Sequence, residues 1–479
     1  MDKELEKSVD SYIDEVWPDV LNDIAQLVSH PSVVDYSAAE SGAPFGKPAR
    51  EALDCALDIA ERLGYKTSCD DGYMGMADIA GESDKQLATI CHVDVVPAGP
   101  GWNTDPFTME ERDGWLLGRG VIDDKGPAVL SLYAGAYLIK KGITPRYSFR
   151  ALLGSDEETG MTDVPHYFES HKAPDFLFTP DAEFPVCNAE KGQFGATFRS
   201  GHIDGGRIIS WSGAEATNAI PAESICELAI DADQLPQPQA NADRLQITAV
   251  GEGRARVFAH GIGGHASMPE GTINAIKLVV EYLREAEEHF AANQKALLTP
   301  VEHEFVKFLA FVHADTAGHG LGIASESPAF GPLTINGGTI CVSGGRIEQT
   351  IDVRYPDSIT ADTIAEIIDP LAGRFNVEMV LRGGAVPFST SADDPCVAAL
   401  IDTYDEITGK NEKPFAMGGG TYARHFPRAV SFGPEEPTTA LPAWGGPMHG
   451  PNECASVALL KQALKIYIVA ILRLQELDL

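Results

Sequence analysis

The stretch LATICHVDVVP, residues 87–97, decides how this chain folds, because an apolar run ends there in a histidine and an aspartate. A buried strand is predicted at Leu87–Ile90, and an apolar helix is predicted further on, at Ala128–Leu138. Two more apolar runs, Tyr147–Leu153 and Phe176–Phe178, also end in polar loops. Alternating strands and helices predict an α/β sheet with its chemistry at the carboxyl ends of the strands.

The pattern differs between the middle of the chain and its two flanks. The flanks have helical periodicity in four stretches: residues 13–27, 52–63, 396–407 and 454–474. The middle part is predicted to contain a helix at 272–290 among β-strands: residues 194–198, 225–230, 254–259, 333–335 and 347–353. We therefore predict a catalytic domain in two parts, residues 1–187 and 386–479, split by an inserted domain at 188–385.

Length and charge limit the functions that the chain can have. Its 479 residues suffice for two or three domains, so folding needs neither disulfides nor a metal. The 36 Lys and Arg residues face 70 Asp and Glu residues, and the formal net charge is −34. Such a charge repels nucleic acids and anionic membrane surfaces, and it is compatible with binding cations.

The cysteines and the first residues bear on the compartment. The eight cysteines are scattered and form no C-x-x-C motif, which favours a reducing environment over a disulfide framework. The opening residues MDKELE lack the features of a signal peptide, and no run approaches the roughly 18 apolar residues of a membrane helix. We expect a soluble, cytoplasmic protein.

Histidines and acids recur just after predicted strands or in glycine-rich loops. They lie in five motifs: CHVDVVP (91–97), GRGVIDDKGP (118–127), GSDEETG (154–160), TPDAE (179–183) and PMHGPNE (447–453). Each motif alone has a structural alternative, such as a helix N-cap or a solvated acidic turn. Together, two histidines and several carboxylates at strand ends suit a pair of Zn²⁺ or Mn²⁺ ions. Asp94, two residues after His92 on the same face, is predicted to orient that imidazole.

These motifs resemble those of the co-catalytic metallopeptidase family, which includes aminoacylases, glutamate-releasing carboxypeptidases and bacterial dipeptidases. The resemblance to the PepV-type dipeptidases covers nearly the whole chain. It rests on these segments: HVDVVPAGPGW, GRGVIDDKGP, TPDAEFPVCNAEKGQFG, GGGTYARHFP and MHGPNE. Cys91 departs from the glycine that usually precedes the first histidine, and we expect this change to affect only packing. The implied fold is a zinc-peptidase-like catalytic domain with a central mixed sheet, split by an inserted α+β lid domain.

The resemblance also assigns roles to individual residues. It implies one metal held by His92 and Asp181, a second held by Glu158 and His449, and Asp123 bridging both. Glu157 is implied as the general base. The resemblance further implies a cis peptide bond between Asp123 and Asp124.

In the inserted domain, His265 is implied to stabilise the oxyanion of the tetrahedral intermediate. The same likeness implies these substrate-binding residues: Asn218, Arg354, Gly418, Gly419, Gly420 and Thr421. A planar guanidinium suits a bidentate hold on a substrate carboxylate, although a strand arginine in an acidic protein can also be structural. His303, His313 and His319 lack ligand spacing and are predicted to be surface or packing residues.

The leading hypothesis is a metallopeptidase that uses two divalent ions, with Zn²⁺ preferred over Mn²⁺, to cleave dipeptides with a free N-terminus. Aspartate at position 181 accompanies dipeptidase activity in the family, whereas glutamate accompanies deacylase or carboxypeptidase activity. The alternatives are an N-acyl amino acid deacylase or carboxypeptidase of the same family, and a non-catalytic metal- or peptide-binding homologue. The resemblance to the PepV-type dipeptidases, with their long insertion, implies an active monomer in which His265 serves its own chain.

Overall fold

The computed structural model describes residues 2–479, which form two compact units. The first unit comprises the chain up to residue 189 together with residues 389–415 and 420–479. The second comprises residues 190–388 and 416–419. The domain boundaries predicted from sequence, at 188 and 385, stay predictions, and they leave residues 416–419 outside the inserted domain.

Helices occupy most of the stretches for which the sequence shows helical periodicity. Residues 2–479 contain nine α-helices: α1 (Lys3–Val28), α2 (Lys47–Arg62), α3 (Lys125–Lys141), α4 (Asp163–Ser170), α5 (Ala275–Ala292), α6 (Pro300–Val312), α7 (Ala361–Gly373), α8 (Pro395–Thr408) and α9 (Val457–Leu474). The prediction that the last helix begins at Cys454 is wrong. Residues Cys454–Ser456 instead form a short strand that pairs with Trp115–Leu117, and the Ser456 side chain caps α9 by accepting from the Leu459 N–H.

A mixed sheet lies at the centre of the first unit, as predicted. The sheet has nine strands, and the first six follow the order Lys66–Asp70, Met74–Ile79, Tyr147–Gly154, Ser83–His92, Phe176–Thr179 and Ala429–Ser431. The first two pairings are antiparallel and the next three are parallel. The three parallel pairings align four strands, so their carboxyl ends lie at one edge of the sheet.

Helix α3 is the most deeply placed helix of the first unit. Every residue from Lys125 to Leu138 is buried. A helix that is apolar around its whole circumference needs cover on all sides. Helices α1 and α9 and the central sheet supply that cover.

The second unit contains two four-stranded antiparallel sheets. One has the strand order Thr334–Ser343, Arg346–Tyr355, Gly192–Arg199 and Glu378–Ala385. The other has the order Ile208–Ser212, Glu223–Leu228, Arg254–His260 and Leu245–Gly251. Helices α5, α6 and α7 pack on these strands around a shared apolar core, in which Phe198 meets Phe308 edge to face at 4.7 Å. Antiparallel sheets with separate helices make this unit α+β, as expected.

The remaining strands are short. In the first unit they are Glu110–Arg112, Trp115–Leu117, Ala182–Glu183, Pro434–Glu435 and Cys454–Ser456. In the second unit they are Ala219–Ile220, Gly264–His265, Glu326–Ser327 and Gly331–Pro332. Three more occur where the chain passes from one unit to the other: Cys187–Glu190, Phe388–Ser389 and Phe415–Met417. Among the helices of residues 2–479, none combines the length and the apolar character that crossing a membrane requires.

His313 is a buried histidine in the core of the second unit. It caps the C-terminus of α6, and its Nε2 lies 2.8 Å from the amide nitrogen of Gln349, whose side chain is fully buried. Burial lowers the pKa of His313 to about 4. A neutral imidazole can accept a hydrogen bond from the Gln349 amide, whereas a protonated ring cannot.

We expect His313 to make the second unit labile in acid. Its pKa is about 4 in the folded chain and about 6.5 in an unfolded one. The free energy of unfolding is therefore highest above pH 6.5, where His313 is neutral in both states. It falls by about 3 kcal/mol in total as the pH is lowered towards 4. Urea unfolding between pH 4 and pH 7 measures the slope of the free energy of unfolding against pH. His313→Gln should flatten it, the exposed His289→Gln should not, and an unchanged slope in His313→Gln contradicts this assignment.

Candidate metal centre

The carboxyl ends of neighbouring parallel strands bring the sequence motifs together. His92 is the last residue of one strand and pairs in register with Gly154, which ends the next. Glu157 and Glu158 follow Gly154, and Asp181 follows the strand Phe176–Thr179 on the other side. The loop between the short strand Trp115–Leu117 and helix α3 adds Asp123. Side chains that are far apart in the sequence therefore meet at one edge of the sheet.

Two groups of donor atoms lie at this edge. The first contains His92, Asp123 and Asp181: the His92 Nε2 is 3.0 Å from Asp123 Oδ1 and 3.8 Å from Asp181 Oδ2. The second contains Asp123, Glu158 and His449: the His449 Nε2 is 2.8 Å from Asp123 Oδ2 and 3.1 Å from Glu158 Oε2. Each group has its donor atoms within 4.8 Å of one another.

Asp123 belongs to both groups and offers a different oxygen to each. Its Oδ1 faces His92 and its Oδ2 faces His449. One carboxylate placed in this way can bridge two cations. All five residues that the resemblance names as ligands are thus present in two groups that share one member.

The donors fit divalent cations. Imidazole nitrogens and carboxylate oxygens are ligands that Zn²⁺ and Mn²⁺ accept in proteins. Glu158 Oε1 is buried and has no hydrogen-bond partner in the structure, so it is available as a further donor. A buried carboxylate oxygen without a partner is costly unless a cation satisfies it.

The local charges indicate the same need for cations. Burial, followed by the neighbouring Asp123 and Glu158 charges, raises the pKa of Asp181 well above its ordinary value. Burial and the Asp181 charge do the same to the pKa of Glu157. Hydrogen bonds to Asp123 and Glu158 raise the pKa of His449 to about 10. The carboxylates at this edge therefore repel one another and require positive charge to stay ionised together.

Asp94 contacts both His92 and the acidic segment. The backbone oxygen of Asp94 lies 3.0 Å from His92 Nδ1, closer than its side-chain Oδ1 at 3.5 Å. Its carboxylate accepts from the N–H of Glu157 at 3.2 Å and from the N–H of Glu158 at 3.1 Å. Asp94 thereby fixes the position of the two glutamates in addition to contacting the imidazole.

The adjacent glutamates differ in their surroundings. Glu158 is a member of the second donor group. Neither of the two groups found within residues 2–479 includes Glu157. The geometry leaves Glu157 outside the predicted ligand set.

Sequence reasoning gave no role to several residues that hold this site in place. The Asp123–Asp124 peptide bond is cis, as expected, and Asp124 Oδ2 accepts a hydrogen bond from the His92 N–H. Arg119 and Glu453 form a buried ion pair beside the centre. The sequence signals that could have identified this ion pair were an arginine between two glycines and an acid four residues after His449.

In the second unit, His265 and Asn218 lie on paired short strands or beside them. The Ala266 N–H donates to the backbone oxygen of Asn218. The side-chain Nδ2 of Asn218 lies 3.4 Å from His265 Nε2. The Ser267 N–H donates to His265 Nδ1 at 3.2 Å, and the Ser267 hydroxyl lies 2.7 Å from the same atom. An accepting Nδ1 leaves the proton of a neutral ring on Nε2.

Arg354 and Gly418, both in the second unit, are joined by a hydrogen bond. Arg354 is nearly buried and donates to Asp352 from Nε and Nη2, at 2.6 and 3.0 Å, and to the Gly418 oxygen from Nη1, at 2.7 Å. A Cβ at Gly418 would come within 2.5 Å of the Ser267 Cβ, so only glycine fits there. A Cβ at Gly420 would come within 2.8 Å of the Arg424 guanidinium.

Thr421, the last member of the predicted substrate-binding set, is buried in the first unit. Its hydroxyl lies 3.0 Å from the Ser431 hydroxyl and accepts from the Ala423 N–H. In the sequence, Gly419 lies between Gly418, in the second unit, and Thr421, in the first. The structure thus accounts for the local packing of Gly418, Gly420 and Thr421.

Known proteins resemble this chain along its whole length. The chain is 32% identical over 469 residues to the putative dipeptidase YtjP of Bacillus subtilis, covering 96% of this chain and 97% of the relative. It is 31% identical to the Beta-Ala-Xaa dipeptidase of Lactobacillus delbrueckii subsp. lactis, covering 95% and 96%. The crystal structure of human carnosine dipeptidase 1 shares the fold, with a TM-score of 0.59, 14% identity and 99% coverage of both chains.

The family assignment follows from the sequence. Residues 88–473 match the family model that is described as "Peptidase family M20/M25/M40". That span includes all five donors at the strand ends. Enzymes of this family depend on two metal ions. The chain is therefore a metallopeptidase that belongs to peptidase family M20/M25/M40.

Proposed function

We propose that this chain is a dipeptidase that acts on dipeptides with a free N-terminus. The observation that carries the proposal is the pair of donor groups that share Asp123. The dipeptidase names of relatives that cover nearly the whole chain support the choice of substrate. The name of one of them, Beta-Ala-Xaa dipeptidase, suggests that β-alanyl dipeptides are also substrates.

In this proposal each donor group holds one divalent cation. His92 and Asp181 hold the first, Glu158 and His449 hold the second, and Asp123 contributes an oxygen to each. Zn²⁺ is our first choice, since its usual ligands are imidazole nitrogen and carboxylate oxygen, and Mn²⁺ is the alternative. Such a pair of ions polarises a scissile carbonyl and makes water nucleophilic near neutral pH.

The chain's own residues move the protons. Glu157 accepts a proton from the attacking water as the new C–O bond forms, and it gives that proton to the leaving amine as the C–N bond breaks. Asp94 positions Glu157 and Glu158 by accepting from both backbone N–H groups. The products are a free carboxylate and a free amine.

We propose that His265 stabilises the negative charge that develops on the carbonyl oxygen. The Ser267 N–H occupies Nδ1, so a neutral ring presents its proton at Nε2, which is the atom that an oxyanion needs as a donor. Asn218 Nδ2 lies 3.4 Å from the same Nε2, so the Asn218 amide faces the position of the oxyanion. We propose that Asn218 and the loop Gly418–Thr421 contact the dipeptide backbone.

Arg354 is our candidate for binding the substrate's C-terminal carboxylate. Asp352 occupies one edge of its guanidinium, so the substrate would be bound through the Nη1 and Nη2 hydrogens that remain. The pairing with Asp352 also fixes the orientation of the planar group. A pre-oriented guanidinium loses less freedom on binding than a mobile one.

Two alternatives are distinguished by substrate. An N-acyl amino acid hydrolase of the same family would prefer N-acetyl amino acids, and a non-catalytic homologue would turn over neither class. Aspartate rather than glutamate at position 181 favours the dipeptidase. The test is hydrolysis of Ala-Ala, β-Ala-His and N-acetyl amino acids after removal and re-addition of Zn²⁺ or Mn²⁺. Metal-dependent cleavage of the free dipeptides is expected, and preference for N-acetyl substrates would reject the proposal.

We further propose that the enzyme is a cytoplasmic monomer. All eight cysteines are free thiols, as is usual for a protein of a reducing compartment. The second unit contains two four-stranded sheets, which supports the interpretation that the long insertion is made of two lid halves. In a monomer of this kind, His265 acts within its own chain.

Mixing two inactive variants tests whether His265 acts within its own chain. We expect that His265→Ala and Glu157→Ala proteins, each inactive alone, stay inactive when mixed. Light scattering at the assay concentration should give the mass of one chain, 51.2 kDa. Recovery of activity on mixing would show that the histidine serves a partner chain.

A further inference from the structure

Arg119 and Glu453 are two buried charges beside the metal centre that are not among its donors. Arg119 is 1% exposed and Glu453 is fully buried. Arg119 Nη1 donates to Glu453 Oε2 at 2.6 Å. Their remaining hydrogen bonds are made with backbone groups of the segments that carry the predicted ligands.

Glu453 holds the turn that leads into Asp123. Its Oε1 accepts from the N–H groups of Gly120, Ile122 and Asp123, at 3.0, 3.1 and 3.4 Å. Its backbone oxygen also accepts from the Gly118 N–H at 3.1 Å. One buried carboxylate therefore fixes the backbone of the residue that belongs to both donor groups.

Arg119 connects this turn to the loop of His449. Its Nη2 donates to the His449 oxygen at 3.2 Å, and it lies 3.4 and 3.5 Å from the oxygens of Pro97 and Ala98, in the loop that follows His92. The ring of Trp102 covers the guanidinium at 5.3 Å. A planar group with several N–H donors can hold three segments at once, whereas a lysine cannot.

The His449 loop needs such a fixed point. The side chain of His449 is 53% exposed, and its backbone has a φ of 60°, which is unusual for a residue other than glycine. A hydrogen bond from the Asn103 N–H to Asn452 ties down the far side of the loop. Arg119 is the buried side chain that contacts the backbone of the histidine itself.

We propose that Arg119 and Glu453 are a positioning pair that sets the distance between Asp123 and His449 and so determines how tightly the second cation is bound. The proposal rests on the proposed function. Two of the three members of the second donor group depend on the pair, namely Asp123 and His449, and only Asp123 in the first group does. Loss of the pair should therefore weaken the second cation more than the first.

The test uses Arg119→Lys and Glu453→Gln. Lysine keeps the buried charge but loses the planar array of donors, and glutamine places an amide N–H against either Arg119 or the three backbone N–H groups. Stripped protein is titrated with Zn²⁺ and with Mn²⁺ in a calorimeter. We expect one of the two binding steps to lose about 10–100-fold in affinity and the other step to lose less. Excess metal should restore kcat, with KM unchanged.

Arg150→Lys is the matched control. Arg150 makes a bidentate pair with Asp78 in the same unit, at 2.7 and 2.8 Å, away from the donor groups. Metal-free melting and circular dichroism establish folding for each variant. Affinities within twofold of wild type in folded Arg119→Lys, an equal loss in Arg150→Lys, or failure of both test variants to fold in excess Zn²⁺ would each overturn the proposal. Wild-type protein that binds fewer than two ions would instead refute the proposed function.

Discussion

Replacing Asp123 by alanine should remove both metal ions and reduce hydrolysis to background. Each donor group has three members, and Asp123 is the one that they share. The variant leaves each group with one imidazole and one carboxylate. The backbone of residue 123 keeps its hydrogen bond to Glu453, so the turn can stay in place.

Metal analysis after dialysis, together with the rate on Ala-Ala, measures this effect. Asp181→Ala is the informative comparison, because Asp181 belongs to the first group only. That variant should lose one ion and retain the second, and the exposed Asp35→Ala should retain both. Two bound ions per chain in Asp123→Ala would refute the bridging role.

Replacing Glu157 by alanine should lower kcat by about 10²–10⁴-fold while both ions stay bound. Glu157 lies outside both donor groups, so the predicted ligands are untouched. Its backbone N–H still donates to Asp94 in the variant, which keeps Glu158 in position. The loss is then the loss of proton transfer between water and leaving amine.

The measurement is kcat of the metal-loaded variant with its metal content determined in the same sample. Glu169→Ala, an exposed acid on α4, is the control for removal of a carboxylate and should keep the wild-type rate. Glu157→Ala with two ions and an unchanged rate would exclude Glu157 as the base. Loss of an ion from this variant would show that Glu157 is a ligand.

Local sequence patterns predicted much of the fold. The run before His92 forms a central parallel strand, and the apolar stretch Ala128–Leu138 forms part of the buried helix α3. Both follow from burial of apolar side chains, which needs information from neighbouring residues only. The helix start at Cys454 was wrong because residues 454–456 pair with Trp115–Leu117, more than 300 positions away, and periodicity does not report such pairing.

The candidate site, like the fold, was predictable from the sequence only in part. Histidines and acids after strands were visible in the sequence and suited two cations, and the resemblance to the metallopeptidase family singled out the five donors among them. Which oxygen of Asp123 faces which imidazole was not visible. Neither was the position of Asp94, whose carboxylate accepts from Glu157 and Glu158 across 63 and 64 residues of sequence.

The resemblance to the metallopeptidase family supplied the set of five candidate ligands, with Asp123 as the bridge. The sequence by itself determined the class of the sheet, the histidines and acids at the strand ends, and the excess of negative charge that cations offset. These depend on residue type and on spacing along one strand or loop. Only the tertiary structure decided which oxygen of Asp123 faces which imidazole and that Arg119 and Glu453 tie its turn to the His449 loop. The physical reason is that hydrogen bonds and shared ligands depend on distances of about 3 Å between segments hundreds of residues apart, and those distances are set by how the whole first unit packs.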